Sequence, residues 1–274
     1  MNKIASKHKG EYVLATGEAA AHRLQILHEI YGPGAQQVLT EAGIRPGMRV
    51  ADLGCGVGMV TRLLAEMVGP KGQVVGVDYS PAQVQEARKL LPDSMTNVTF
   101  VEASAVATGL PRESFDLVYS RFLLIHLTEP HLALREMYHL LKPNGILVCE
   151  DGDLTTAGSE PYSKLQAFSY LFAWLGPARG VDYTLGRRLF HMVREANFQS
   201  PQIKFNQPAF ACGEKKRLLE LSVAEAGPAF VDAGLITHEE LAATVTVMKD
   251  LAHDETVLAL MPRMSQVWAR KAAD

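Results

Sequence analysis

Arg49-Val-Ala-Asp-Leu-Gly-Cys-Gly-Val-Gly58 decides how this chain is read. An apolar run ends in an acid, Asp52, and passes directly into glycines at positions 54, 56 and 58. An apolar-periodic stretch, Met59 to Met67, begins at once. The pattern predicts a buried parallel strand, a tight turn, and a helix whose N-terminus faces whatever lies above the sheet. Glycine suits that turn because the backbone bends sharply and a ligand can approach without Cβ interference. Strand, glycine loop and helix in this order form the nucleotide-type crevice of doubly wound α/β folds.

Working outward, the spacing narrows the choice of nucleotide. A dinucleotide fingerprint needs G-x-G-x-x-G, with a helix N-terminus reaching a pyrophosphate. Here the loop is G-x-G-x-G, and Met59 stands where the third fingerprint glycine would be. Asp52 just before the loop repels a pyrophosphate and suits a ligand carrying an amino group and a sulfonium. Twenty residues after Gly58, the run Gln73-Val-Val-Gly-Val-Asp78 ends in a second acid. An acid at that strand end is placed to hydrogen-bond two ribose hydroxyls.

Four stretches now resemble a known family: Val50–Gly58, Val75-Gly-Val-Asp-Tyr-Ser80, Phe115-Asp-Leu-Val-Tyr-Ser120 and Leu141-Lys-Pro-Asn-Gly-Ile146. They are similar to class I S-adenosylmethionine-dependent methyltransferases, in the branch of ubiquinone/menaquinone-biosynthesis-type small-molecule enzymes. The resemblance is tight over residues 45–155 and loose elsewhere. It speaks to cofactor and fold and is nearly silent on the acceptor.

Composition agrees with a soluble enzyme. The chain has 274 residues, 47 % hydrophobic and 21 % charged, which describes an ordinary globular protein. A net charge of −3 supplies no basic stripe for displacing counterions, so no nucleic-acid partner is expected. The compact basic cluster Lys215-Lys-Arg217 reads as a solvated helix face. Cys55, Cys149 and Cys212 show no C-x-x-C spacing and suit a reducing compartment. No signal-peptide run or membrane span is apparent, so a cytoplasmic protein is expected.

Along the chain, residues 1–10 read as a polar tail. Glu18 to Tyr31 predicts a helix that Gly32-Pro33-Gly34 stops, and a second short helix covers Ala35 to Ala42. As the resemblance implies, residues 1–44 form a helical flap preceding the domain 45–274; the alternative is simple edge packing. Strands are predicted near 48–53, 73–78, 97–102, 115–119 and 146–151, alternating with helices. That order demands a parallel sheet with right-handed crossovers. Ser80-Pro81-Ala82-Gln83 opens the second of these helices with an N-cap serine, a first-position proline and a capping-box glutamine. Another helix spans 129–141. A helix over 187–196 and a strand over 201–211 follow, and residues 214–262 read as helical, with a capping box at Thr237-His-Glu-Glu240. A final strand, Met264 to Arg270, inserts antiparallel beside the sixth, as the resemblance implies. The expected fold is α/β: a doubly wound, mostly parallel seven-stranded, Rossmann-like sheet, with residues 155–186 and 214–262 as helical caps.

Ligands of open α/β sheets lie beyond the carboxyl ends of the strands. The resemblance then implies S-adenosylmethionine near Asp52, Gly54 and Gly56, with Asp78 on the ribose and Tyr79 beside adenine or simply on the surface. Tyr12 from the flap and Gln83 join this set. After the third strand the family commonly has Gly-Asp-Ala; here Ala103-Ser104-Ala105 stands instead, so Ser104 and Ala105 offer an uncharged contact. Ser120 and Arg121 end the fourth strand, where the backbone usually faces the transferable methyl. Arg121 is either structural or a cofactor contact. His126 matches a position near the acceptor, or is a satisfied core histidine.

Glu150-Asp151-Gly152-Asp153 closes the fifth strand. A metal needs several oxygen ligands, and Ser120-Arg121 supply no further carboxylate, so none is expected. Asp151 or Asp153 could orient or deprotonate an acceptor, or could only bind loop amides. Five aromatics, Tyr162, Phe168, Tyr170, Phe172 and Trp174, crowd the next segment. Phe168 and Phe172 share one helix face, and Tyr170 and Trp174 share another. They form either a lid on the acceptor pocket or a contact with a second copy.

The expected reaction is in-line SN2 transfer of methyl to a small molecule, releasing S-adenosylhomocysteine. Amines and thiolates need no base, whereas a phenol gains from one such as His126 or Asp151. No nucleophile–base pair stands out, so oxygen, nitrogen, carbon and sulfur acceptors all remain open. The rival readings are a SAM-binding interaction module without turnover and a NAD(P)-dependent oxidoreductase.

Overall fold

A computed structural model describes residues 12–161 and 165–273. The tail expected over residues 1–10 and the aromatic Tyr162 lie outside that set. Seven described strands build the main sheet: β1 (Arg49–Leu53), β2 (Gln73–Asp78), β3 (Val98–Glu102), β4 (Phe115–Arg121), β5 (Leu141–Asp153), β7 (Gln199–Asn206) and β10 (Arg263–Arg270). Three short strands, β6 (Gly158–Glu160), β8 (Ala209–Phe210) and β9 (Leu258–Leu260), form a second sheet. The main sheet runs β3-β2-β1-β4-β5-β10-β7. Strands β1 to β5 are parallel, and β10 enters antiparallel between β5 and β7. This is the expected doubly wound architecture.

The central strands β1, β2 and β4 are mostly apolar and buried because both faces of the sheet are covered there, whereas the edge strand β7 is mostly exposed. Val50, Val74, Leu117 and Val148 face one core, with Val60, Leu64 and Val84 from helices α2 (Met59–Val68) and α3 (Pro81–Leu90). Ala51, Val75, Val118 and Leu147 face the other. There they meet α4 (Pro130–Leu140), α5 (Gln166–Arg179), α6 (Leu189–Glu195) and α7 (Leu218–Asp232).

Several expected boundaries move. The glycine–proline triplet does not stop the first helix: α1 runs unbroken from Glu18 to Ala42 with Pro33 inside it. Proline and glycine cost an isolated helix ~3 and ~1 kcal/mol, and here packing offsets that cost. A Cβ on Gly34 would stand 2.3 Å from Asn206 Nδ2, so the glycine lets α1 lie close on β7. The Tyr31 hydroxyl donates to Pro262 O at 2.7 Å and pins the helix one turn earlier.

The strand expected over 201–211 divides at Gln207-Pro208 into β7 and β8, which join different sheets. The stretch 214–262 contains α7 and α8 (His238–His253) but ends in β9, and 155–186 contains β6 as well as α5. Each of these short strands is paired by residues distant in sequence, which no local pattern reveals. The capping box at Thr237 and Glu240 forms in full. At α3, Ser80 caps Gln83 N, but the Gln83 side chain turns instead to accept from Gly17 N at 3.2 Å.

Lys216 does not sit on a solvated face. It is fully buried, and its Nζ donates to Ala211 O, Asp254 O and Val257 O at 3.0, 2.6 and 2.8 Å. One ammonium with three donors thus ties the start of α7 to the end of α8.

Candidate active site

The loop after β1 supplies the site's floor. Gly54, Gly56 and Gly58 all have positive φ, at +74°, +53° and +78°. A Cβ on Gly54 would meet Leu123 Cδ1 at 2.9 Å, and one on Gly58 would meet Phe100 Cζ at 2.7 Å. Here glycine serves both the left-handed backbone and close packing. Gly54 N and Cys55 N both donate to Val77 O, locking the loop to the end of β2.

The two strand-end acids hold this loop from either side. Asp52 is 2 % exposed and accepts from Thr61 Oγ1 of α2 at 2.6 Å. Burial pushes its pKa up to about 6, opposed by the Thr61 bond and by Arg121. Asp78 accepts from Gly56 N and Ser80 N, each at 2.9 Å, one on each oxygen. A carboxylate has about four lone-pair sites, so both oxygens keep acceptor capacity toward the cavity that Asp78 lines.

That cavity has a volume of about 430 Å³. Around its nucleoside-like end stand Asp52, Gly54, Gly56, Asp78, Tyr79, Gln83, Ser104, Ala105 and Arg121, which the sequence analysis named. Tyr79 is 79 % exposed, at the rim. Ser120 is not brought to the cavity: it is fully buried, with its hydroxyl against Cys149 Sγ at 3.5 Å.

The other end is aromatic. Tyr12 packs edge-on against His126 with ring centroids 4.8 Å apart, and His126 meets Tyr183 at 5.7 Å. Phe168 and Phe172 of α5, 3 % and 2 % exposed, close the wall with Leu218 and Ser222 of α7. Tyr170 and Trp174 turn the other way: they are 48 % and 57 % exposed, stack on each other at 5.9 Å, and do not line the cavity. Of the two aromatic faces on α5, the Phe face therefore joins the site.

The three acids of β5 disperse. The strand runs two residues past its expected end, and β10 pairs with it as far as Asp153. Glu150 accepts from the Tyr119 hydroxyl and from Gln266 Nε2. Asp153 accepts from Thr155 N and pairs with Arg187 Nε at 2.6 Å, away from the cavity, where it braces the turn after β5. Asp151 is sealed behind the 124–126 turn and accepts from Leu124 N at 3.1 Å. Burial drives its pKa up to about 8. Asp151 does not line the cavity; its carboxylate binds the turn that carries His126. His126 does reach the cavity, but burial, with Arg23 adding, pushes its pKa down to about 3. It is a neutral hydrogen-bonding group at neutral pH and a weak base.

Arg23, Tyr31, Leu218 and Ser222 complete the wall and were missed in the sequence. Arg23 sits one residue before Leu24 on an otherwise ordinary helix, with no local signal. Its Nε donates to Glu225 Oε2 of α7 at 2.7 Å, and the same carboxylate accepts from Ala15 N at 3.1 Å.

A doubly wound sheet with a glycine loop between two strand-end acids, at the carboxyl edge, is a nucleoside-type binding site of an α/β fold. A family model described as a methyltransferase domain matches residues 51–149. The ubiquinone/menaquinone biosynthesis C-methyltransferase UbiE of Shewanella woodyi is 32 % identical over 152 residues, 53 % of this chain and 61 % of that protein. The demethylmenaquinone methyltransferase of Staphylococcus aureus is 31 % identical over 166 residues, 61 % of this chain and 67 % of that protein. The chain thus spans between three fifths and two thirds of these relatives. It belongs to the S-adenosylmethionine-dependent methyltransferase family, with S-adenosylmethionine as its cofactor.

Solved structures show the same fold. A methyltransferase-like protein of Bacillus halodurans superposes with a TM-score of 0.60 at 17 % identity, over 86 % of this chain and 98 % of that one. The YcgJ protein of Bacillus subtilis gives 0.58 at 18 % identity, over 90 % and 100 %. Among the described residues no helix is long and apolar enough to cross a membrane.

Proposed function

We propose that this enzyme methylates a flat, apolar ring compound of quinone type, seated between the 122–126 turn and cap helices α5 and α7. One observation carries the proposal: a single cavity joins the Asp78–Gly56 end to the wall of Phe168, Phe172, Leu218 and His126. An apolar enclosure with few polar groups selects a hydrophobic ring and orients it. The names of the two curated relatives point to acceptors of that kind.

When bound, S-adenosylmethionine supplies an electrophilic methyl on a cationic sulfur, which an acceptor takes by in-line displacement. Asp78 accepts from the ribose hydroxyls, Asp52 and the Gly54–Gly56 backbone meet the amino-acid portion, and Ser104, Ala105 and Tyr79 border the adenine. Gln83 ties the flap to α3, and Tyr12 covers the site from above. Residues 12–17, where the described part of the 1–44 flap begins, close one side; the described residues of the 155–186 and 214–262 segments cap the other. His126 in its neutral form steers the acceptor by hydrogen bonding, and Asp151 holds the turn that carries it. Orienting two bound reactants can contribute ~7–11 kcal/mol to lowering the barrier, so alignment is the main work of this site.

The test has two stages. Melting and calorimetry with S-adenosylmethionine, S-adenosylhomocysteine and NAD should show stabilisation by the first two alone. Methyl-labelled cofactor is then offered to a panel of small quinols, phenols, amines and thiols. Binding of NAD with no binding of either adenosyl compound would overturn the cofactor assignment. Label transfer confined to amines or thiols would overturn the acceptor class.

A further inference from the structure

The site must bring its acceptor to a reactive state, yet its titratable groups are badly placed to take a proton. His126 is held neutral and weakly basic by burial. Asp52 is engaged by Thr61, and Asp78 by two loop amides. Asp151 lies off the cavity. Two guanidinium groups do line it, Arg23 and Arg121, and each has a buried nitrogen without a hydrogen-bond partner among the described residues. The charge of Arg121 acts on Asp52 and Glu150. That of Arg23 acts on His126 and Tyr12, beneath the aromatic cap.

Arg23 is 3 % exposed, and its Nη2 is buried with no hydrogen-bond partner among the described residues. Its Nε is the atom that meets Glu225. A guanidinium carries five donors and stays charged. Groups facing it are Glu225 from α7, the Tyr12 phenol from the flap and the neutral His126 ring. Burial keeps the Tyr12 phenol and the His126 ring neutral, so Glu225 is the carboxylate among these, and it also accepts from Ala15 N.

We propose that Arg23 holds an ionised oxygen of the acceptor, so that the ring compound enters methyl transfer as an oxyanion and not as a neutral phenol. This rests on the reading that the aromatic end of the cavity takes the acceptor. A free phenol of pKa about 10 is roughly one part in a thousand ionised at neutral pH. A neighbouring cation favours the charged form, and the proton leaves to solvent as the phenol binds. The oxygen, or a ring carbon conjugated with it, then bonds to the methyl carbon while the carbon–sulfur bond breaks toward sulfur. An anion and a sulfonium become two neutral groups; attack through oxygen ends there, and attack through carbon gives a neutral dienone whose ring proton passes to solvent as the oxygen takes one up and the aromatic ring is restored.

The probe is 4-nitrophenol, whose phenolate absorbs distinctly, titrated into enzyme saturated with S-adenosylhomocysteine; 4-nitroanisole is the comparator that cannot ionise. The wild type should bind nitrophenolate in preference to the neutral form. Arg23→Gln should lose about tenfold or more of nitrophenolate affinity, the order of a charge-assisted hydrogen bond. Its affinities for 4-nitroanisole and S-adenosylhomocysteine should stay unchanged. Glu225→Gln keeps the guanidinium and removes its counter-charge, so it should bind nitrophenolate at least as tightly as the wild type. Equal losses in Arg23→Gln and Glu225→Gln would mean an ion pair with a purely structural task, and would overturn the proposal. So would unchanged nitrophenolate binding in Arg23→Gln, no phenolate binding by the wild type, or a loss of S-adenosylhomocysteine affinity alone, which would assign Arg23 to that ligand's carboxylate. Failure of the wild type to bind S-adenosylhomocysteine at all would instead strike the proposed function.

Discussion

Asp78→Asn separates loop support from ligand recognition in one residue. In the free protein, Asp78 accepts from Gly56 N and Ser80 N at 2.9 Å each. Asparagine has one carbonyl oxygen, so one of those two N–H groups must face an amide donor. An unmatched buried donor costs ~1–3 kcal/mol. Relief of burying a charge opposes this cost, because burial raises the Asp78 pKa above the usual carboxylate value. The unliganded variant should therefore melt within a few degrees of wild type, at roughly 2–4 °C per kcal/mol.

Ligand binding should respond more strongly. Each charge-assisted hydrogen bond lost is worth ~1.5–3 kcal/mol, or about one to two decades in Kd at ~1.4 kcal/mol per decade. At a ligand concentration a hundredfold above the wild-type Kd, the wild type gains ~2.7 kcal/mol of stability. A Kd ten- to a hundredfold weaker reduces that gain to about 0.4–1.4 kcal/mol at the same concentration. Calorimetric titration with S-adenosylhomocysteine, backed by melting with and without it, measures both quantities. A folded Asp78→Asn protein with wild-type Kd would remove this carboxylate from the ligand site and refute the reasoning.

Other perturbations follow from the same contacts. Phe168→Ala removes a buried ring from the cavity wall and should cost ~3–5 kcal/mol. Tyr170→Ala, on the exposed face, should stay within about 0.5 kcal/mol of wild type; denaturant melts compare the two. Lys216→Met removes the charged donor shared by three carbonyls, of which Val257 O is in a fully buried bond and Ala211 O and Asp254 O in part-buried ones. At ~1 kcal/mol or more each, it should lower Tm by at least roughly 6 °C, and a wild-type Tm would show that the ammonium contributes nothing. Asp151 has its pKa raised to about 8 by burial, so the fold favours its protonated form. Wild-type stability should then fall as pH rises from about 4, the unfolded value, to about 8. Asp151→Asn cannot titrate, so its stability relative to wild type should rise across that window in urea melts; a constant difference would mean that Asp151 keeps an ordinary pKa.

The cofactor end was legible because its information is local. The Asp52–Gly58 turn needs positive φ at three positions, and glycine meets that need best. Strand alternation and the capping signals around Ser80 and Thr237 are equally short-range. The same local logic misjudged Gly32-Pro33-Gly34, whose intrinsic helix penalty is overruled by the close approach to Asn206. It left open whether Asp151 and Asp153 serve an acceptor or bind loop amides; their carboxylates accept from Leu124 N and Thr155 N. Whether an acid at a strand end faces a ligand depends on what pairs beyond it, and β10 comes from more than a hundred residues away.

The sequence by itself determined the doubly wound fold, the glycine loop, the acids at 52 and 78, and from these the family and its cofactor. Each of those rests on dihedral preferences and periodicities that a short window contains. Tertiary structure alone decided that Phe168 and not Tyr170 lines the cavity, that Lys216 is buried, and that Arg23 meets Glu225 beneath the cap. Burial and convergence are properties of packed surfaces, set by contacts between segments more than two hundred residues apart, and no single segment encodes its partner.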